Sequence, residues 1–285
     1  MKIVIISSDK WIDKCREDKF LMNSLINAGI ACEIDSWEHG IKWDEDDLLI
    51  LRSPWDYYEN YDAFRNWLCI LKNKHIRIAN GVNNILVNID KKQQFLNLSE
   101  CKLPMVPYLI ADSIDSVVDW YENSKYQKVV IKPTISASGH DTYLIESKKD
   151  IYDKFWNIVK TNRSVIIQPF VENINKGEVS LIYFHGIFSH GVIRYPGVIG
   201  QKKIPVFLTS VDTEWLEAGE EICKYIGAEE LLYVRIDLVK FEGKITIMEI
   251  ELSEPDLYFT FDSSGSKIKQ FISEIKKEMC KDTPY

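Results

Sequence analysis

The sequence predicts an α/β fold: an N-terminal lobe built on a parallel sheet, followed by two α+β lobes. Three observations predict it. Short apolar runs alternate with helix-spaced segments through about the first 85 residues, the pattern of a parallel sheet covered on both faces. The alternation continues through the middle of the chain with shorter strands and a small-residue loop, "SASGHD". From Gly177 onward, long runs such as "EVSLIYF" and "GIFSHGVIRY" read as antiparallel strands.

Each element has its own signal. "KIVIIS" is a short buried strand, and a helix over residues 14–28 stops at Gly29. "ACEIDSW" and "DLLILRS" are further strands, and "YDAFRNWLCILKN" places Phe64, Trp67, Leu68 and Leu71 on one helical face. "NIDKKQQFLNLSECKLP" reads as one helix ended before Pro104. The strand "MVPYLI", a helix over 116–122, the strands "KVVIKPT" and "TYLI", a helix over 151–160 and the strand "SVIIQPF" make up the middle lobe. A helix over 215–226 precedes a hairpin, "YVRIDLV" and "KITIMEIEL" around Gly243, and a basic amphipathic helix over 267–281 closes the chain.

Composition narrows the function classes. The chain of 285 residues is 46% hydrophobic and 27% charged, the balance of a globular protein. A net charge of −8 excludes general nucleic-acid binding and requires a local positive cluster for any anionic ligand. Cys15, Cys32, Cys69, Cys101, Cys223 and Cys280 show neither a CxxC pair nor zinc spacing, which predicts reduced thiols in a cytoplasmic protein. No stretch has the length and apolarity of a signal-peptide core or a membrane span, so a membrane role is not expected.

The hairpin carries the first chemical signal. Alternate residues share a face, so Arg235 and Asp237 of one strand lie with Glu249 and Glu251 of the other. A turn at Gly243 sets Asp237 opposite Glu249 and Arg235 opposite Glu251. Like charges across a strand pair are unfavourable. A solvated charged face would tolerate them; three carboxylates with one arginine fit a divalent cation better. Oxygen donors alone suit Mg²⁺ or Mn²⁺ rather than zinc.

Phosphates need other contacts, and neither GxxxxGK[ST] nor GxGxxG occurs. Lys132 ends the apolar strand "VVIKP", and small residues around Ser138 and Gly139 follow, where backbone amides can approach phosphate oxygens. A lysine snorkelling from a strand end reads equally well, and Lys91 in "NIDKK" also fits a solvated helix face.

Taken together and in order, "NIDK", "VVIKP" with its loop, "IIQPFVENINKGEVS", "VIR", "RID" and "MEIEL" resemble the ATP-grasp superfamily of ligases across nearly the whole chain. "RSPWDY", "NIDK" and "ELSEP" are similar to segments of its prokaryotic glutathione synthetase-like branch and of cyclo-ligases that form cycloserine. The resemblance implies an ATP-grasp fold with residues 1–87 on the substrate side and residues 88–285 clamping ATP, 105–168 being a mobile lobe. It further implies that Lys91 and Lys132 contact ATP phosphates under the loop of Ser138 and Gly139. Gln168 would mark the hinge, where backbone groups of Phe170 and Val171 meet adenine, and Glu178 would bind the ribose hydroxyls. Arg194 and Arg235 would stabilise the transferring phosphate, and Asp237, Glu249 and Glu251 would hold two magnesium ions. Glu251 departs from the family's frequent Asn.

"RSPWDYYENYD" follows a strand at the end where open α/β sheets bind ligands. Arg52 there could clamp a substrate carboxylate bidentately, with Trp55, Asp56 and Tyr57 shaping the pocket; an aromatic turn packed on the next lobe is the alternative. Five histidines show no metal spacing, and only His140, beside the small-residue loop, adjoins a candidate site. The expected function is an ADP-forming ligase joining a small-molecule carboxylate to an amine, with ATP and Mg²⁺. A small-molecule kinase and an inactive nucleotide-binding protein are the alternatives, and a homodimer stays open.

Overall fold

The computed structural model describes residues 1–160, 163–195 and 204–281, the side chain of Asn173 excepted. Three sheets form. The first joins β1 (Ile3–Ser7), β2 (Cys32–Ser36), β3 (Leu48–Ser53) and β4 (Arg77–Ile78) in the order β2-β1-β3-β4, all parallel. Every residue of β1 and β3 is buried, as in a parallel sheet covered on both faces. Alternation divides them: Ile3, Ile5, Leu48 and Ile50 pack with Leu21 and Leu25 of α1 (Arg16–Asn27). Val4, Ile6, Leu49 and Leu51 pack with Phe64, Trp67 and Leu68 of α2 (Tyr61–Asn73).

The helix expected from "NIDKK" is in fact the second of two, α3 (Val82–Asn88) and α4 (Lys91–Leu98). The extended Asp90 separates them and caps α4 by accepting from the Lys92 amide at 2.9 Å. That break puts Lys91 at a helix start, where its own amide donates to the Thr134 carbonyl (2.9 Å).

The middle sheet is antiparallel, with β5 (Leu109–Ala111), β6 (Val129–Pro133), β7 (Tyr143–Ile145) and β8 (Val165–Pro169) in the order β5-β8-β6-β7. Val117 and Val118 of α5 (Ile114–Asn123) and Ile151, Phe155 and Ile158 of α6 (Lys148–Val159) pack against Val129, Ile131, Val165 and Ile167. Period two therefore turns Lys132 to the face away from the helices.

The third sheet runs β11-β10-β9-β12-β13, from β9 (Glu178–Phe184), β10 (Ile187–Arg194), β11 (Val206–Phe207), β12 (Val234–Phe241) and β13 (Lys244–Glu251). β12 and β13 meet through the two residues Glu242 and Gly243, both with positive φ (+49° and +81°). Turns of that kind match strand twist, and Gly adopts them without steric penalty. The register is the expected one: Arg235 faces Glu251 and Asp237 faces Glu249, with a bulge after Asp237. β4 and β11, two residues each, left no periodic signal in the sequence. α8 (Ser266–Met279) closes the first core through Phe271 and Ile275. Among the described residues no helix is long and apolar enough to cross a membrane.

α7 (Thr213–Ile226) lies on the third sheet through Ala218, Ile222 and Cys223. A Cβ on its Gly219 would overlap the Tyr183 hydroxyl and come 2.8 Å from Leu181 Cδ1. Gly to Ala inside a helix ordinarily stabilises by roughly 0.5–1 kcal/mol. Here overpacking should reverse the sign, and Gly219→Ala should destabilise by about 1–3 kcal/mol in denaturant unfolding. A gain in stability would show that α7 is not seated this closely.

Candidate active site

The third sheet buries an ion network at its centre. Asp237 has no exposed surface. Its carboxylate accepts from Ser180 Oγ (2.6 Å), Arg194 Nη2 (2.8 Å), and Arg235 Nε and Nη2 (both 3.0 Å). Sheet order explains the convergence: β9 lies between β10 and β12, pairing Ser180 with Asp237 on one side and Glu178 with Arg194 on the other. Arg194 Nε also donates to Glu178 (2.5 Å). Burial opposes the charge of Arg194, but Asp237 and Glu178 outweigh it and raise its pKa. Burial pushes Glu178 up to about 7 in spite of Arg194.

A second group lies at the hairpin's other edge. Lys91 Nζ meets Glu249 at 2.8 Å and donates to the Ser136 carbonyl at 3.1 Å, so one side chain spans β13 and the small-residue loop. Burial would raise Glu249, but Lys91 and Lys132 bring it down to about 2. Lys132 has no acceptor or ion-pair partner among the described residues; its ammonium lies 5.9 Å over the Phe95 ring. Burial lowers its pKa and outweighs the attraction of Glu249. Glu251, 3.9 Å from Arg235, is pushed up to about 7 by burial and by Glu249. Glu254 is pushed up to about 8 by burial and by Glu251.

The small-residue loop bends at Ser138 and Gly139, with φ of +53° and +72°, and both are exposed. His140 stacks on Tyr58 (4.5 Å between centroids), and Arg163 donates to the Ile135 and Tyr58 carbonyls, fastening the loop to the N-terminal lobe.

Residues 3–80 match the family model for the N-terminal domain of D-cycloserine synthetase DcsG. The cycloserine biosynthesis protein DcsG of Streptomyces lavendulae is 23% identical over 86% of this chain and 89% of its own. A crystal structure of D-cycloserine synthetase DcsG superimposes with a TM-score of 0.85, at 19% identity, covering 98% of this chain and 100% of that one. D-alanine–D-alanine ligase from Bacillus anthracis gives 0.65 at 13% identity (98% and 97%). The ATP-grasp ligase PsnB, complexed with minimal precursor, Mg and ADP, gives 0.62 at 15% identity (96% and 98%).

The chain has the ATP-grasp fold.

Within that fold, Lys91 pairs with Glu249, and Arg194 and Arg235 pair with Asp237, Arg235 also lying near Glu251; three of the expected roles meet a different geometry. The expected metal triad is not assembled: no group of three His, Cys, Asp or Glu side chains among the described residues is placed to hold a metal. The reason is Asp237, whose oxygens are taken by two arginines and Ser180. Glu249 and Glu251 still fit a hard divalent cation, since burial and mutual repulsion raise Glu251 and an oxygen-seeking charge would relieve both. Second, Glu178, expected on ribose, is only 2% exposed and is held by Arg194. Third, Arg52 is not presented to a substrate. It is 1% exposed, donates to the Pro255 carbonyl (2.6 Å) and to Glu17 (3.2 Å), and lies 3.9 Å from Asp18.

The remaining expected residues are distributed more simply. Gln168 is buried at the end of β8. The Phe170 amide already donates to Lys128 and the Val171 carbonyl accepts from Ile174, both at 2.9 Å, so half of the expected adenine contacts are engaged. Trp55 is half-buried against Trp11 and donates to the Glu254 carbonyl at 3.1 Å; Asp56 is half-buried with Oδ1 unpaired. Sequence reasoning missed Ser180 and Glu254. Glu178 and Ser180 alternate in an otherwise apolar strand, which was the available signal for Ser180.

Two outcomes follow. A glutamate with a folded pKa above its ordinary 4.5 binds more protons folded than unfolded, so stability falls as pH rises from about 4.5 toward 7. Glu251→Gln should therefore match the parent near pH 4.5 and exceed it by roughly 2 kcal/mol at pH 8 without metal; parallel pH curves would refute the assignment. Arg52→Met should destabilise by about 3–5 kcal/mol, because Glu17 and Asp18 lose their buried counter-charge. A loss below 1 kcal/mol in urea titration would return Arg52 to the list of ligand contacts.

Proposed function

We propose that this chain is a Mg²⁺-dependent, ADP-forming ligase that activates a small-molecule carboxylate as an acyl phosphate and couples it to an amine or similar nucleophile. The observation that carries the reading is Lys132. It is a half-buried ammonium with no ion-pair partner among the described residues, under the pull of Glu249 and at the root of a small-residue loop. A half-buried cation of this kind is favourably completed by an anionic ligand. The neighbouring proteins support the chemistry through their names: a D-cycloserine synthetase, an ATP-grasp ligase and a D-alanine–D-alanine ligase.

In this reading residues 88–285 hold ATP, residues 1–87 the other substrates, and the lobe of 105–168 moves over the nucleotide. The Phe170 carbonyl and the Val171 amide, the two hinge groups not engaged above, meet adenine. Lys91 and Lys132 hold the phosphates, and the exposed loop of Ser138 and Gly139 lies over them. Arg194 and Arg235, fixed by Asp237, present positive charge to the transferring phosphoryl group. Glu249 and Glu251 would hold Mg²⁺, which would supply charge neutralisation for the phosphates. A carboxylate is a poor electrophile. Attack of its oxygen on the γ-phosphorus expels ADP and leaves an acyl phosphate, from which the nucleophile displaces phosphate.

An ¹⁸O-labelled carboxylate substrate tests the course, with hydroxylamine as the acceptor. Label should appear in inorganic phosphate. Label in AMP would mean an adenylate, and a stable phosphorylated product without label transfer would mean a kinase. Lys132→Met should lower ADP release by roughly 10²–10³-fold, the usual effect of removing one donor to developing charge.

A further inference from the structure

The small-residue loop leaves β6 beside the residues that lead into β8. The two strands are antiparallel with Pro133 opposite Val165, so the same register carried two residues further sets Ile135 against Arg163. The Thr134 amide donates to the Ser164 carbonyl (3.0 Å), which continues that register, and Arg163 Nη1 donates to the Ile135 carbonyl (2.9 Å). The other arm of the guanidinium, Nη2, donates to the carbonyl of Tyr58, in the short turn Tyr57–Asn60 of the N-terminal lobe. One side chain thus bonds both lobes.

The Tyr58 ring completes the junction. His140, toward the far end of the loop, stacks on it with centroids 4.5 Å apart and 25° between planes. The Arg163 guanidinium carbon lies 6.0 Å from the centre of the same ring. Ile135 and Ala137 pack against the apolar core under α2, which belongs to the N-terminal lobe. The loop therefore rests on Tyr58 twice, through Arg163 at Ile135 and directly at His140.

Holding the loop by its carbonyls frees its amides. The Thr134 carbonyl accepts from the Lys91 amide, that of Ile135 from Arg163 and that of Ser136 from Lys91 Nζ. Among the described residues the amides of Ile135, Ser136, Ala137, Ser138 and Gly139 donate to no acceptor, although Ser136 is only 4% exposed. Successive free amides suit phosphate oxygens, and they keep this arrangement only while the carbonyls are held.

We propose that Arg163, Tyr58 and His140 form a latch through which the N-terminal lobe holds the loop in position for nucleotide phosphates. They are positioning residues: the loop's amides meet the phosphates, and the latch sets where those amides lie. The lobe of 105–168 closes onto Tyr58 as well as onto ATP, so closure depends on the lobe that holds the other substrates. This inference rests on the nucleotide-binding part of the ligase reading above.

The test is calorimetric binding of AMP and of a non-hydrolysable ATP analogue with Mg²⁺ to the full chain. Arg163→Met, which removes the shared guanidinium, should weaken the ATP analogue about 10- to 100-fold, the worth of a hydrogen bond to a charged group. Tyr58→Ala, which removes the stacked ring, should weaken it about 3- to 10-fold, the worth of an aromatic pair. AMP lacks the outer phosphates, and its binding should change little in either variant. Tyr58→Phe keeps the ring and should restore most of the affinity lost in Tyr58→Ala. Because the two residues act through one latch, the double variant should lose no more than Arg163→Met alone. Additive losses overturn the latch, and so does an equal loss for AMP and the ATP analogue, which would mark general damage to the fold. If the parent binds neither nucleotide, the ligase reading fails by itself, and hydrogen exchange of the free protein decides the latch. Residues 134–143 should then exchange faster in Tyr58→Ala and Arg163→Met than in the parent, with β1 and β3 unchanged. Equal exchange of that segment overturns it.

Discussion

Asp237 has no contact with solvent, and an ionised carboxylate survives inside a sheet only when charge and hydrogen bonds meet it on every side. Ser180 reaches it from β9, Arg194 from β10 and Arg235 from its own strand, so three strands are tied by one side chain. Neither arginine can be removed singly without leaving an uncompensated buried charge. The same contacts fix where the two guanidinium groups sit, and with them the positive charge at the centre of the sheet. A reaction that depends on preorganised charge gains from cations whose reorganisation has been removed in advance.

The rest of the network divides into a cation-rich end and a carboxylate-rich end. Lys91 and Lys132 hold Glu249 far below its ordinary range, whereas Glu251 and Glu254, further along the chain, are driven above theirs. One strand end therefore carries a firmly ionised carboxylate and two that resist ionisation within a few residues. That gradient separates sites for anions from sites for cations. The lysine end favours negative charge, and the end beyond Glu251 favours positive charge.

Much of this was legible in the sequence because it follows from period two and a turn. Gly243 and the flanking runs set the hairpin register, and with it the pairing of Asp237 with Glu249 and of Arg235 with Glu251. The partners of Asp237 were not legible. Arg194 and Ser180 reach it because β9 inserts between β10 and β12, and strand order is a property of the whole sheet. Arg52 misled for a related reason. A lysine or arginine at a strand end reads as a ligand contact, and the acids that neutralise Arg52, Glu17 and Asp18, lie on a helix 34–35 positions earlier. Glu254 has no such signal, because nothing local marks a carboxylate that the fold will bury.

Buried polar contacts of the kind made by Arg52, Asn80 and Asn88 add little net stability compared with apolar packing of equal volume. Their effect is geometric. Each has few ways to be satisfied, and all of them act on residues 252–257 or the strands beside it. An apolar junction would tolerate sliding of β13 against the first sheet, since hydrophobic contact has no direction. A slide of one residue would turn Glu249 and Glu251 to the opposite face and separate them from Lys91. The polar junction forbids that movement, because any shift strands several buried donors and acceptors at once. The N-terminal lobe thus bears on the site indirectly: it fixes the end of the strand on which Glu249 and Glu251 stand.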